Sequence, residues 1–169
     1  MDFALLMIAF FSFLIAITLL GVLAVIDFKT MFLPNKYVFP FAILGGVFHL
    51  STQFVLLSPL SMLVGGILGY GLLWSIRFFG NMYYKTESLG LGDVKLLGAA
   101  GLWLGMENVT FAMTLGAMAG LLHGLAVAYM QSKKTGEFNI HRLKIPAGPG
   151  FIAGILIMMC VELFPIFLR

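Results

Sequence analysis

The chain has 169 residues, of which 61% are hydrophobic and only 10% are charged. Together with a mean hydropathy of +1.06, this composition excludes an ordinary soluble domain and predicts an integral membrane protein. The longest polar stretch, Gln131 to Lys144, has only the length of a loop, so we expect function to reside in the membrane-embedded part.

The apolar segments predict about six transmembrane helices. Runs of about 20 residues, the length that crosses a bilayer, can be placed at roughly 3–26, 37–55, 58–78, 91–106, 109–130 and 147–168. The first run begins with an acidic rather than a basic region and is interpreted as a retained helix. The fourth is short, glycine-rich and opened by a charged motif, which favours a broken or partly re-entrant segment.

The basic residues predict an orientation. With six spans, the loops of one side receive Lys29, Lys36, Arg77, Lys85, Lys133, Lys134, Arg142 and Lys144. Loops rich in lysine and arginine stay in the cytoplasm. We therefore expect these loops in the cytoplasm and both termini outside, with membrane lipid as a partner of the basic loops.

Small and polar residues inside the spans indicate how the helices pack. Glycines recur at helical spacing and predict close helix contacts; they are Gly65 and Gly69, Gly101 and Gly105, and Gly116, Gly120 and Gly124. His123 lies in the middle of a span and is expected to hydrogen-bond between helices, whereas His49, near an outer end, is expected at the membrane interface.

Two acidic residues, Asp27 and Asp93, lie at the edge of apolar spans. An ionisable group at membrane depth costs at least about 2.5 kcal/mol, so it is a functional candidate by default. Asp27 closes the first predicted span and Asp93 opens the fourth, which places both at the cytoplasmic end at a similar depth. The alternative is that each simply flanks or caps a helix end.

The stretch "LGLGDVKLLG" favours a functional role for Asp93. A helix cap does not require glycine on both sides of Leu91, and Gly90 and Gly92 leave room for another backbone, such as an extended substrate, to approach the carboxylate. Lys95 is expected to point away from Asp93 and to reach headgroups or phosphate. Around Asp27, Pro34 and Asn35 form a turn before the second span.

Two neighbouring carboxylates share a proton, so such a pair supplies a general base and a general acid together. The same residues would also suit a proton relay, and a proton-coupled carrier is the alternative from another class. A carrier usually shows symmetry between halves and broken helices near the membrane midplane. We find no such symmetry, and both acids lie at one face.

In order and spacing, the motifs resemble those of the type IV prepilin peptidases, membrane aspartic proteases of the GxGD class. The family shows an aspartate followed by a short basic stretch and a proline turn, here Asp27 with "FKTMFLPN". It shows GxGD followed by a glycine-rich helix, here "GLGDVKLLGAAGLWLG". It also shows a late "PFGP" element, for which "IPAGPG" retains Pro146, Gly148 and Pro149.

The resemblance implies an all-α bundle in the bacterial inner membrane with Asp27 and Asp93 as catalytic residues. It implies cleavage of a short basic leader from prepilins or pseudopilins, with no metal or organic cofactor and no nucleic-acid partner. An assembly subunit of a pilus or secretion machine, without activity, is the other alternative.

The sequence departs from the family pattern in two respects. Ala147 stands where the family commonly has phenylalanine, which bears on pocket shape. The bifunctional members also carry an N-terminal domain with paired cysteines and methylate the mature pilin, whereas this chain has only Cys160. We expect residues 1–169 to form a single transmembrane peptidase domain and do not expect N-methyltransferase activity.

Overall fold

The computed structural model describes residues 2–87, 89–135 and 146–168. In chain order the helices are α1 (Phe3–Thr30), α2 (Asn35–Ser51), α3 (Pro59–Tyr84), α4 (Leu91–Thr135), α5 (Gly148–Glu162) and a 3-10 helix at Phe164–Leu168. No strand occurs within these ranges. The predicted all-α polytopic membrane fold is confirmed. The predicted basic residues Arg142 and Lys144 lie outside the described residues.

Three stretches are long and apolar enough to cross a membrane, namely Phe3–Thr30, Pro59–Tyr84 and Leu91–Met130, and Gly148–Glu162 is a shorter apolar helix. The third stretch has 40 residues, which at 1.5 Å per residue would give a straight helix of about 60 Å, twice the thickness of a bilayer core. One straight helix of that length would not fit a single membrane crossing.

α4 is broken at Gly105, which has φ 72° and ψ −175°. This left-handed φ is one that glycine adopts readily and other residues rarely do. The two spans predicted at 91–106 and 109–130 are therefore the two halves of one element, 91–104 and 106–135, joined at the break. The first half carries the charged motif, and the second half returns toward the same end of the molecule, since His123 lies against Phe28 of α1.

Polar groups of neighbouring helices contact the backbone on both sides of the break. Nε2 of His49 lies 2.9 Å from the carbonyl oxygen of Trp103, and the N–H of Met106 donates to Oγ of Ser61 at 3.5 Å. The indole N–H of Trp103 donates to the carbonyl of Phe41 at 2.8 Å. Carbonyls and amides at helix ends lack intrahelical partners, so these contacts stabilise the break and attach it to α2 and α3.

The histidine interpretations need correction. His49 has 0% of its surface exposed and joins α2 to α4, so it is not an interfacial residue. His123 is exposed, with its ring edge-on to Phe28 at 6.0 Å between centroids. The buried histidine hydrogen-bonded between helices is therefore His49, because the break at Gly105 places a carbonyl beside α2.

The glycines predicted to pack do so between α3 and α4. A Cβ added to Gly65 would lie 2.5 Å from the carbonyl carbon of Gly105 and 2.6 Å from the carbonyl oxygen of Gly101. A Cβ on Gly69 would overlap the backbone of Leu97. Because no side chain separates the two backbones, the helices pack at the close range typical of small residues in membranes.

The second half of α4 packs against α5 in the same way. A Cβ on Gly116 would lie 2.6 Å from Cα of Phe151, and one on Gly150 would lie 2.9 Å from the backbone nitrogen of Gly120. At one end of the molecule these contacts bring the start of α5 to the end of α1, where Gly148 meets Asp27. The start of α4 reaches the same end through Gly92, which contacts Leu33.

Candidate active site

Asp27 lies in the last turn of α1 and is buried, with 4% of its surface exposed. The backbone N–H of Gly148 faces its carboxylate. Gly148 is the first residue of α5, so the positive end of that helix is directed at Asp27. A Cβ on Gly148 would lie 2.5 Å from Oδ2 of Asp27, which explains why a glycine is needed there.

Asp93 lies in the first turn of α4 and is also buried, with 7% of its surface exposed. Its Oδ2 is folded back toward Gly90, where an added Cβ would lie 3.0 Å away. A Cβ on Gly92 would lie 2.8 Å from Cβ of Leu33. The space predicted for an extended substrate is thus taken by Asp93 itself at Gly90 and by Leu33 of this chain at Gly92.

The two carboxylates are close enough for their charges to interact, although Asp27 and Asp93 lie far apart in the sequence. Within the described residues, Oδ2 of Asp27 and Oδ1 of Asp93 are both buried without a hydrogen-bond partner. A buried carboxylate oxygen without a partner is costly, and such groups occur where chemistry is done. One oxygen of each aspartate is therefore free to bind water or a substrate carbonyl.

A hydrogen bond joins the two motifs around this pair. Pro34 is the N-cap of α2 and Asn35 its first residue, and Nζ of Lys95 donates to Oδ1 of Asn35 at 3.2 Å. Lys95 thus reaches the turn that follows Asp27. This contact joins α4 to α2, and the headgroup or phosphate role of Lys95 stays a prediction.

The late proline motif lines a cavity beside Asp27. Pro146 and Pro149 contribute to it with Phe28 and His123, and the cavity has a volume of about 170 Å³. It lies between α1, the second half of α4 and the start of α5. Ala147 packs on the hydrophobic core, so the smaller residue is accommodated at this position.

A larger apolar groove, with a volume of about 600 Å³, runs along the first half of α4. Its walls come from α2, α3 and the first half of α4, and its lining residues include Val38, Ile67, Gly71 and Gly98. Among the described residues that line the groove, Lys95 is the one charged residue, and Asp93 is not one of them. The groove extends from Lys95 along the first half of α4.

Arg77 is a residue near the site that the sequence interpretation counted only among the basic loop residues. Its Nη1 donates to the carbonyl oxygen of Leu89, and its Nη2 donates to Oε1 of Glu87 at 3.0 Å. Leu89 immediately precedes Gly90. The only signal of Arg77 in the sequence was a positive charge near the end of an apolar helix, and the positive-inside rule for membrane orientation already accounts for such a charge.

The described residues contain no cluster of three or more His, Cys, Asp or Glu that could hold a metal ion. What the fold and the site define is a multi-pass membrane protein with two buried carboxylates at one end of its helices. Carboxylate pairs of this kind are typical of aspartic hydrolases.

Comparison with known proteins supplies the family. The model of the type IV leader peptidase family, Peptidase_A24, matches residues 4–125. The chain belongs to this family, as the motifs predicted.

Several curated relatives are named prepilin leader peptidase/N-methyltransferase. The protein of Escherichia coli K12 is 33% identical over 111 residues, which are 66% of this chain and 48% of the relative. That of Klebsiella pneumoniae is 38% identical over 106 residues, 63% and 46% of the two chains. That of Aeromonas hydrophila is 32% identical over 128 residues, 75% and 41%. The matched segments thus span less than half the length of these relatives, and no solved structure matches the chain.

Proposed function

We propose that this protein is a membrane aspartic endopeptidase that removes the short basic leader from type IV prepilins or pseudopilins at the cytoplasmic face of the bacterial inner membrane. The observation that carries the proposal is the pairing of Asp27 and Asp93, each buried and each with an oxygen free of partners among the described residues. The names of the relatives supply the substrate class and the peptidase activity.

In the proposed mechanism one aspartate is ionised and the other is protonated. The ionised carboxylate takes a proton from water while the water oxygen bonds to the scissile carbonyl carbon. The protonated carboxyl donates its proton to the carbonyl oxygen, which gives a neutral tetrahedral diol and exchanges the protonation states of the pair. Collapse of the diol then breaks the C–N bond: the nitrogen leaves with the proton of the aspartate that accepted one, and a diol hydroxyl returns a proton to the other aspartate, which restores the starting protonation states.

The relatives' name joins leader peptidase to N-methyltransferase, and we propose only the peptidase activity for this chain. The residues that support an activity here are Asp27, Asp93 and the backbone around them, and their chemistry is proton transfer to and from water. That the chain has peptidase activity without methyltransferase activity remains a prediction, and a methylation assay on the cleaved product would test it.

We also propose a place for the apolar segment that follows the scissile bond in such substrates. The groove of about 600 Å³ is apolar and begins at Lys95, beside the start of α4 that carries Asp93. A substrate helix lying in it would end near the start of α4, and the substrate backbone would continue from there around the helix to the aspartates. At Gly71, which lines the groove, an added Cβ would meet nothing within 4 Å, so a second helix can approach there closely.

The decisive experiment is cleavage of a co-expressed prepilin by the wild-type chain and by Asp27→Asn and Asp93→Asn. Asparagine keeps the shape of aspartate and removes its proton transfer, so we expect each variant to lose cleavage by a factor of at least about 10³. The product is detected as a downward gel shift and confirmed by N-terminal sequencing.

The matched control is Asp2→Asn, which removes an exposed acid far from the pair and should cleave at the wild-type rate. Membrane insertion of every variant is measured by immunoblot. If Asp27→Asn or Asp93→Asn cleaves as fast as wild type, the two-aspartate mechanism is wrong. If the wild type cleaves no prepilin, the carrier and assembly alternatives take precedence.

A further inference from the structure

The connection between α3 and α4 carries the residues that lead into Asp93. α3 ends at Tyr84 and α4 begins at Leu91, and the backbone N–H of Lys85 donates to the carbonyl of Asn81 at 2.9 Å as the cap of α3. Arg77, one to two turns before the end of α3, bonds two points of this segment: the carbonyl of Leu89 and the carboxylate of Glu87. A guanidinium can hold two acceptors at once because its N–H groups form a rigid fork.

The bond to Leu89 acts one residue before Gly90. The space above Gly90 is filled by Oδ2 of Asp93, so the course of the backbone at this glycine determines where that oxygen lies. We propose that Arg77 is a positioning residue for the proposed peptidase reaction, holding the Leu89–Gly90 peptide so that the Asp93 carboxylate stays directed at Asp27. The expected effect on kcat rests on the proposed function. The attachment of the segment to Arg77 rests on the structure alone.

The ion pair with Glu87 does not account for the arrangement. The side chain of Glu87 is 83% exposed, whereas that of Arg77 is 19% exposed. Ion pairs with one partner so exposed contribute little to stability because water screens them. The contact with the half-buried backbone carbonyl is the one that constrains the segment, since that carbonyl belongs to the residue beside Gly90.

A role in membrane orientation is the competing explanation, because a basic residue at this end of α3 also obeys the positive-inside rule. Arg77→Lys separates the two roles. Lysine keeps the positive charge and should keep the orientation, but its ammonium on a flexible stem cannot donate to the Leu89 carbonyl in the fixed geometry of the guanidinium.

We expect Arg77→Lys to insert at the wild-type level and to lower kcat for prepilin cleavage about tenfold, because a small misplacement of a catalytic group is costly. KM should stay within about twofold of wild type, since Arg77 does not line the groove proposed for the substrate. Glu87→Gln, which removes the ion pair and leaves the Leu89 bond, is the matched control and should retain wild-type kcat.

A second measurement does not depend on activity. Lys85 is exposed at the end of α3 and is a site for trypsin. The protease needs a locally unfolded chain, so the rate of the cut after Lys85 reports how often the connection between α3 and α4 opens. In inside-out vesicles we expect this cut to be several-fold faster in Arg77→Lys than in wild type or Glu87→Gln. This result would hold even if no prepilin were cleaved, so the failure of the attachment and the failure of the proposed function can be distinguished.

Three results would overturn the inference. Wild-type kcat in Arg77→Lys would leave orientation as the role of Arg77. An equal loss of kcat in Glu87→Gln would assign the effect to the ion pair. A loss of insertion, or a rise in KM with kcat unchanged, would mean that Arg77 supports the fold or the substrate rather than Asp93.

Discussion

At the scale of single residues, the site depends on glycines that admit a carboxylate. Gly148 begins α5 and contacts Asp27 so closely that a Cβ would lie 2.5 Å from Oδ2. Gly90 has the same relation to Asp93 at 3.0 Å. Both aspartates therefore lie against backbone, and the positive end of a helix is directed at each of them. The glycines of the motifs determine where the acids can lie.

Gly148→Ala tests this relation. The added methyl group would displace the Asp27 carboxylate, so we expect kcat for prepilin cleavage to fall at least about a hundredfold. Alanine is a better helix former than glycine by about 1 kcal/mol, so the helix itself should not be weakened. Insertion and thermal stability in detergent are measured beside the cleavage rate.

Gly21→Ala is the control for Gly148→Ala. A Cβ on Gly21 would meet nothing within 4 Å, so this variant changes a glycine of α1 without a new contact. It should cleave at the wild-type rate. If Gly148→Ala does so as well, the close approach of Gly148 to Asp27 does not matter for the reaction.

At the scale of elements, the site is assembled where the ends of α1, α2, α4 and α5 meet. Leu33, between α1 and α2, lies against Gly92 of α4, and Lys95 of α4 bonds Asn35 of α2. The two aspartate motifs are thus in direct contact, although one lies at the junction of α1 and α2 and the other at the start of α4. Their relative position follows from these contacts and from the glycine packing of α3 against α4.

The Lys95–Asn35 bond can be tested by a double-mutant cycle. We expect Lys95→Ala and Asn35→Ala each to lower kcat/KM roughly tenfold, because a hydrogen bond to a charged group contributes about 1.5–3 kcal/mol. The double variant should be little worse than either single one, since both remove the same contact.

Lys36→Ala is the control for charge in this cycle, because Lys36 is exposed and lies over the ring of Tyr37 at 4.9 Å. It should leave kcat/KM unchanged. Strictly additive losses in the Lys95 and Asn35 variants would show that the two residues act separately and that the bond is not a link between the motifs.

At the scale of the whole molecule, the break of α4 at Gly105 decides which surfaces flank the aspartates. The first half of α4 packs on α3 and α2 and forms the floor of the large groove. The second half returns to α5 and closes the smaller cavity beside Pro149. α4 thus contributes to two concave surfaces, of which the larger one is apolar and is the one proposed for the substrate helix.

Gly71→Leu tests the groove, since it places a large side chain in space that is empty at Gly71. We expect KM for a full-length prepilin to rise about tenfold, which corresponds to about 1.4 kcal/mol. Cleavage of a short peptide that lacks the apolar segment should not change, because it does not occupy the groove. Both substrates are assayed with purified protein.

Gly46→Leu is the matched control, because a Cβ on Gly46 also meets nothing within 4 Å and the residue does not line the groove. It should behave as wild type toward both substrates. An unchanged KM for full-length prepilin in Gly71→Leu would mean that the groove holds lipid and that the substrate helix lies elsewhere.

The sequence by itself determined the fold class and the family, and it singled out the two acids for which the catalytic role is proposed. An apolar composition leaves few alternatives to a helical membrane protein, and a carboxylate inside an apolar span is costly enough to be noticed without a structure. The spacing of the glycines likewise predicted packing that Gly65, Gly101 and Gly116 confirm. Each of these signals is local, so reading along the chain is sufficient to find it.

Only the tertiary structure decided what touches the acids. The contact of Gly148 with Asp27, the bond of Arg77 to the Leu89 carbonyl and the burial of His49 beside Trp103 all join residues from different elements. Such contacts depend on how the helices pack and on the course of the backbone at Gly105, which no local pattern specifies. A charge, a glycine or a histidine has the same appearance in the sequence whether it faces lipid or a carboxylate, and its neighbours across the bundle determine its role.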